Sequence, residues 1–487
     1  IEAFAGTGTQ TGFHPAIEAS IARETRCPIR IECGYCGKCY MPPPYRPVFH
    51  FSPARGWMND PNGLVWHNGL WHLCYQHAPN HVCWDPGMHW GHAVSEDLVH
   101  WEQWPIALYP DDMGAIFSGS TAALDKHKEE GELVTCFTHS GDRRQVQSLA
   151  FSRDEGRIWT KYRGNPVLTS DRLDFRDPKI FRYGSEWRMI VAAGFEAQIY
   201  ASSNLTKWSF LSTFPSPVPN CTWECPDLVE IAGKWILIAS LIIPNSRPRE
   251  GNNSRYWLGA FDGTTFTPES GPHGLSLGPD DYAAVSWNNV PNQRKVIVGW
   301  MSHWTYANQT PTHEEGWRGV MTMPRVLSFK EGALAQNPPE EFLRSRGTPT
   351  SLGEEGVANS YKAFEIELEL DLSRLRSTEA GIQFRNDAEE KLQIVYNLES
   401  KEICIDRTHA GKTDFHPDFA GAFRAPLPIH DPFLKLSIFV DSCSVEIFAQ
   451  DGLLYGAALA FPSADWRRID FIGDGLRVQR GSLYPLS

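Results

Sequence analysis

An all-β chain is expected, a five-bladed β-propeller followed by a C-terminal β-sandwich, and three observations point there. From Tyr45 to about Phe329, short apolar strands alternate with Gly, Asn, Asp and Pro turns, and almost no stretch sustains a 3.6-residue apolar period. Within that region one strand–turn–strand unit recurs from about residues 60, 117, 177, 225 and 281, a period of roughly 45–60. After Phe329 the repeat stops. Strict alternation then takes over in Phe364-Glu365-Ile366-Glu367-Leu368-Glu369-Leu370 and Ser444-Val445-Glu446-Ile447-Phe448, apolar inward and charged outward, as in a half-buried antiparallel sheet.

Taken in chain order, residues 1–44 read as an arm that carries Cys27, Cys33, Cys36 and Cys39 and ends in the stiff Met41-Pro42-Pro43-Pro44. Its Cys-x-x-Cys-x-x-Cys run suits either zinc or local disulfides. Residues 45–335 form the propeller. A second repeated element supports this, a polar turn that closes on Trp: Ser95-Glu96-Asp97-Leu98-Val99-His100-Trp101, Ser152-Arg153-Asp154-Glu155-Gly156-Arg157-Ile158-Trp159 and Ser202-Ser203-Asn204-Leu205-Thr206-Lys207-Trp208. Four-stranded units at this spacing read as blades, which leave only short protected edges. Residues 336–360, polar with Pro338-Pro339 and a Gly-rich tail, read as a linker, and 361–487 as the sandwich.

The bulk properties set limits on function. At 487 residues the chain exceeds the roughly 250–300 at which one core stops growing, so two domains are expected. A net charge of −13 argues against nucleic-acid or anionic-membrane partners, which need a basic face. No apolar run reaches the ~20 residues of a membrane helix. Aromatic residues make up 12%, with 18 Trp, which suits stacking on sugar rings as well as filling sheet cores. The first residue, Ile1, is consistent with a processed or trimmed start, and sequons at Asn204, Asn220, Asn252 and Asn308 permit a secreted glycoprotein. A secreted location is therefore expected, with a cytoplasmic one left open. The odd count of 11 cysteines implies no disulfide scaffold.

Three repeats open on an acid beside proline: Asp60-Pro61, Asp177-Pro178 and Glu224-Cys225-Pro226. Any one such pair can simply start a strand after a turn. Three at matching places around an axis would converge on one pocket, and two carboxyl groups are the minimum equipment for cleaving a glycosidic bond. Asn59 and Asn62 offer amides to sugar oxygens beside Asp60. Arg176 is expected to keep Asp177 ionised. The apolar flanks of Glu224, Trp223 and Cys225-Pro226, suit a general acid.

The chain resembles glycoside hydrolase family 32, the invertase, exo-inulinase and levanase group, over roughly residues 46–480. The motifs that carry the resemblance are Trp57-Met58-Asn59-Asp60-Pro61-Asn62-Gly63, Tyr75-Gln76, Trp90-Gly91-His92-Ala93, Phe117-Ser118-Gly119-Ser120, Phe175-Arg176-Asp177-Pro178, Glu224-Cys225-Pro226 and Trp317-Arg318-Gly319. It implies a retaining β-fructofuranosidase that releases terminal fructose from sucrose, with short inulin or levan chains as further substrates. Asp60 would be the nucleophile, Glu224 the acid then base, and Asp177 the transition-state stabiliser. Trp57, Asn59, Gln76, Trp84, Phe117, Ser118, Arg176, Asp280, Tyr282 and Trp304 would hold the sugar. A retaining pair is expected about 5–5.5 Å apart. No cofactor and no metal are implied, and the partner is a small sugar. The arm is not part of the family pattern.

Three alternatives accompany this reading. His72, His77, His81, His89 and His92, with Cys74 and Cys83, could serve a metal hydrolase, although their spacings are irregular. A propeller lectin would keep the pocket without turnover. A fructosyltransferase would resolve the same covalent intermediate with a sugar instead of water. Sequence leaves oligomeric state and fructan preference open.

Overall fold

The structure is a computed structural model that describes residues 44–124, 132–142, 144–248, 253–330 and 332–486. The arm up to residue 43, with Cys27, Cys33, Cys36 and Cys39, and the sequon at Asn252 lie outside the described residues.

Residues 56–337 form five antiparallel sheets, here blades I to V, whose first strands are Gly56–His67, Ala115–Ala123, Phe175–Tyr183, Thr222–Ile231 and Tyr282–Ser286. Each first strand contacts the next, and that of blade V returns to that of blade I, so the five close a ring. Closure is reinforced by Trp317–Arg318, which leaves blade V and pairs in parallel with Gly56 and Trp57. Second strands such as Lys234–Ile242 (Lys-Trp-Ile-Leu-Ile-Ala-Ser-Leu-Ile) are buried along nearly their whole length, because neighbouring blades cover both faces. The outermost strand of blade IV, Phe266–Gly274, is exposed and carries Pro268 and Pro272, residues that an unpaired edge tolerates.

The repeated turn has one physical job. Asp97 Oδ1 accepts the backbone N–H groups of Val99 and His100 at 3.0 and 2.8 Å, and Asn204 Oδ1 accepts those of Thr206 and Lys207 at 3.2 and 3.1 Å. The closing tryptophans then donate their indole N–H to Leu98 and Leu205 at 3.0 and 2.7 Å, two residues held at positive φ. Short side chains that mimic a backbone turn explain why Asx and Trp recur at this spacing.

The C-terminal part is two six-stranded antiparallel sheets packed face to face. Short strands at Thr350–Ser351 and Val357–Ala358 join the two sheets at their edges, after a helix at Glu340–Arg344. Phe364, Ile366, Leu368 and Leu370 point into the core, and Glu367 and Glu369 are half-buried. The charged-outward expectation fails at Glu365, fully buried on Arg346, and at Glu446 of the second run, fully buried beside His50. The propeller meets this sandwich through buried charge. His50 lies between Asp441 and Glu446 at 2.9 and 2.5 Å, and Arg407 reaches Asp280 at 2.5 Å.

Candidate active site

Every first strand of the ring breaks register at about the same height. The breaks fall between Met58 and Pro61, Phe117 and Gly119, Arg176 and Lys179, Glu224 and Asp227, and Tyr282 and Val285. Such bulges bend a strand and re-aim its side chains. Asp177, Cys225 and Ala283 sit in the bulges at φ of 66°, 47° and 53°, a conformation that side chains other than glycine seldom adopt. This register corrects one expectation. Asp177 lies within its bulge, whereas Glu224 is the last paired residue before its own, level with Arg176 and Tyr282. The acids share a height on the ring but not a matching position.

Three carboxylates from three blades nevertheless meet. Asp60 accepts Asn59 Nδ2 and Ser118 Oγ, each at 3.0 Å. Asp177 Oδ2 accepts the backbone N–H of Cys225 at 2.9 Å. The Cys225 thiol lies 3.6 Å from Asp60 and 3.7 Å from Asp177, so one sulfur touches both. Arg176 Nη2 reaches Glu224 Oε1 at 3.1 Å, and the Tyr282 hydroxyl donates to Oε2 at 2.5 Å.

The electrostatics follow from burial. Asp60, 8% exposed, is pushed up to about 6, first by desolvation and then by the charge of Glu224, against the pull of Asn59, Ser118 and Cys225. Asp177 is also raised, chiefly by burial, with Arg176 pulling it down and Glu224 and Asp60 pushing it further up. Arg176 does pair with Asp177 at 3.9 Å, as well as with Asp174 at 2.5 Å and with Glu224. Burial and the two neighbouring acids outweigh it, so Arg176 does not by itself keep Asp177 ionised. Nor is the setting of Glu224 apolar, since Arg176 and Tyr282 hold its two oxygens. The Trp223 ring turns away and stacks on Trp257 at 5.2 Å. Burial and the nearby acids raise the Cys225 thiol and the Tyr282 hydroxyl well above their usual ranges, so both remain proton donors.

The residues expected to hold the sugar divide. Asn59, Ser118, Arg176 and Tyr282 touch the acids directly. Trp57 is 1% exposed and acts through Asn59, whose Oδ1 accepts its indole N–H at 2.7 Å. Half-buried Trp304 stacks near Trp57, and exposed Trp84 stands edge-on to half-buried Phe117. Gln76 is buried beside this wall, and its Nε2 has no protein partner among the described residues. Asp280 is misassigned. It is fully buried, and its carboxylate is consumed by Arg407, the Tyr306 hydroxyl and the backbone N–H of Leu459, so it cannot bind sugar. Sequence reading named Cys225 only as a neighbour of Glu224, and it passed over Thr138, whose hydroxyl accepts the Asp177 N–H at 3.0 Å.

The histidines do not assemble a metal centre. His72 and His92 face each other at 3.1 Å beside Trp104, His77 bonds the Trp57 carbonyl, and His81 is exposed. Among the described residues no three His, Cys, Asp or Glu side chains are grouped to hold a metal.

The model of the glycosyl hydrolases family 32 N-terminal domain matches residues 50–338, and that of the family 32 C terminal matches 333–483. The chain belongs to glycosyl hydrolase family 32. Within that family it is 38% identical to a levanase of Bacillus subtilis, over 91% of this chain and 70% of the levanase. An extracellular exo-inulinase of Aspergillus awamori is 34% identical over 91% of this chain and 95% of its own. The crystal structure of exo-inulinase from Aspergillus awamori superposes with a TM-score of 0.83 at 31% identity, covering 91% of this chain and 99% of that one. A family 32 member with this site is a glycoside hydrolase.

Proposed function

We propose that this enzyme removes terminal, non-reducing β-D-fructofuranosyl residues from sucrose and from short inulin or levan chains, with retention of configuration. The observation that carries the reading is the meeting of Asp60, Asp177 and Glu224 from three blades, tied by Cys225 and Arg176. The levanase and exo-inulinase relatives support a fructan-directed substrate range.

In this mechanism the Asp60 carboxylate attacks the anomeric carbon of the fructosyl unit. The bond from that carbon to the leaving oxygen breaks as Glu224 donates its proton to that oxygen. Glu224, now a carboxylate, takes a proton from water. The resulting hydroxide attacks the same carbon and frees Asp60. Asp177 accepts hydrogen bonds from sugar hydroxyls that strengthen as positive charge develops on the ring. Asn59, Gln76, Trp84, Phe117, Ser118, Arg176, Tyr282 and Trp304 form the sugar-binding wall, with Trp57 buried behind Asn59 and holding its amide. Residues 45–335 carry the chemistry, and 336–360 lead to the sandwich at 361–487 while lending it the two short edge strands Thr350–Ser351 and Val357–Ala358.

Secretion fits the relatives described as extracellular. Among the described residues no helix is long and apolar enough to cross a membrane.

The decisive test is Glu224→Ala, assayed on sucrose and on an aryl fructoside whose phenolate leaves without protonation. Losing the acid should lower kcat/KM on sucrose by ~10²–10⁴ and spare the aryl fructoside. Equal loss on both would remove Glu224 from the role. Product analysis on sucrose, inulin and levan at low and high sugar separates hydrolysis from transfer.

A further inference from the structure

Three consecutive residues at the start of blade V are each clamped by a different partner. Asp280 is held by the sandwich: Arg407 Nη1 donates at 2.5 Å and the Leu459 N–H at 2.9 Å, with the Tyr306 hydroxyl as a third donor. Asp281 takes a forked contact from Arg325, whose Nη2 lies 3.2 and 3.1 Å from its two oxygens. Arg325 itself lies over the ring of the sandwich residue Tyr455, 4.0 Å from its centroid. Tyr282 then donates to Glu224 Oε2 at 2.5 Å. Asp280, Asp281, Arg325 and Arg407 are all 0% exposed.

Buried ion pairs like these add little net stability compared with apolar packing, yet breaking one by removing a single partner is costly. What they supply is fixed geometry. Among the described residues Glu224 has two side-chain anchors, Arg176 and Tyr282, and Tyr282 lies two residues along the chain from Asp280, which the sandwich holds. The segment has little freedom to adapt: Ala283 is held at φ 53° and its N–H is bound to Ser240 Oγ at 2.9 Å. A shift at Asp280 therefore passes through Asp281 to Tyr282, the first residue of the strand, and so to its hydroxyl.

We propose that the sandwich orients the proton-donating carboxylate of the propeller, with Arg407 and Asp280 as positioning residues that act on Glu224 through Tyr282. The proposal rests on Glu224 being the acid. It gives the second domain a part in the chemistry, although among the described residues none of its side chains is hydrogen-bonded or ion-paired to the three acids.

The test uses the full chain. Replacing Arg407 with Met and Asp280 with Asn together removes both buried charges, and thermal unfolding checks that the variant is folded. Misplacing a catalytic group by about 1 Å from a distance can cost up to ~10²-fold. The double variant should accordingly lose roughly 10- to 100-fold in kcat/KM on sucrose and stay near wild type on the aryl fructoside, with Arg407→Lys recovering part of the loss. A uniform loss on both substrates, or full activity on both in a folded protein, overturns the proposal. Should the double variant not fold, Tyr306→Phe deletes only the hydroxyl between Asp280 and Arg407 and should show the same selectivity at smaller size; equal rates on both substrates overturn it likewise. Glu224→Gln run in parallel separates the two ideas. If it is substrate-selective and the Arg407 variants are not, only this inference falls. If it is not selective, the assignment of Glu224 fails and this inference fails with it.

Discussion

Asn308 accepts the backbone N–H of Trp84 on its side-chain oxygen at 2.8 Å. The contact joins two loops, and it puts to structural use an amide that the sequence offers as a glycan acceptor. Arg318 Nη1 holds the same loop at the Val82 carbonyl, 2.8 Å away. Trp84 is 39% exposed, and its ring stands edge-on to Phe117.

Asn308→Ala should therefore loosen Trp84 and weaken sugar binding while leaving the acids in place. One hydrogen bond is worth about 0.5–1.5 kcal/mol, which predicts a roughly 2- to 10-fold rise in KM for sucrose with kcat unchanged. Asn308→Asp keeps the acceptor oxygen and should behave as wild type. If both variants raise KM equally, the bond to Trp84 is not what matters.

The acid limb of the pH–rate profile should report Asp60 together with Asp177, whose carboxyl is also raised by burial, Glu224 and Asp60. A nucleophile must be ionised to attack, and burial together with Glu224 pushes this carboxyl up to about 6. On the free enzyme, kcat/KM should fall as pH drops through about 6. Ser118 donates to Asp60 and favours its charged form. Ser118→Ala should shift that limb to higher pH, and a limb that does not move would mean that another group sets it.

His50 makes the contact between propeller and sandwich sensitive to pH. Burial alone would lower its pKa, but Glu446 and Asp441 outweigh burial and raise it to about 9. The folded state thus holds a proton that the unfolded chain releases near 6.5. Stability from this group is complete below pH 6.5 and is lost as pH rises through 9. Melting temperature should decline across that window in wild type and decline less in His50→Gln. Parallel curves would show that His50 is not the sensor.

Much of this was legible in the sequence, for physical reasons. Blades and sandwich announce themselves because period-2 burial and Asx–Trp turns are local, so a few neighbouring residues determine them. Asp60, Asp177 and Glu224 stood out because each stands just before a proline and an apolar run in a repeat. What stayed hidden depends on partners far along the chain. Asp280 looked like a pocket residue through the family resemblance, yet its partner Arg407 is 127 residues away in another domain. Arg176 looked like the companion of its neighbour Asp177 alone, but its guanidinium also reaches Glu224, 48 residues further along the chain. The slip between Asp177 and Glu224 is likewise a property of pairing register, which only the sheet defines.

The raised pKa of Asp60 also predicts a variant more stable than wild type. The folded protein binds this proton more tightly than the unfolded chain, whose carboxyl titrates near 3.8, so stability falls as pH rises from about 4 to about 6. Above pH 6 the full cost is present, about 3 kcal/mol for a shift of this size. Asp60→Asn removes the charge and keeps an oxygen to accept from Asn59, while the Ser118 hydroxyl can turn to accept from the new amide. At pH 7 it should melt above wild type, with the gap closing near pH 4, and it should have lost turnover. Denaturant titration at both pH values measures this directly. If the two proteins keep the same stability difference at pH 4 and pH 7, Asp60 is not held ionised against its environment. The trade is physical: the carboxylate that can attack carbon is the one the fold would rather see neutral.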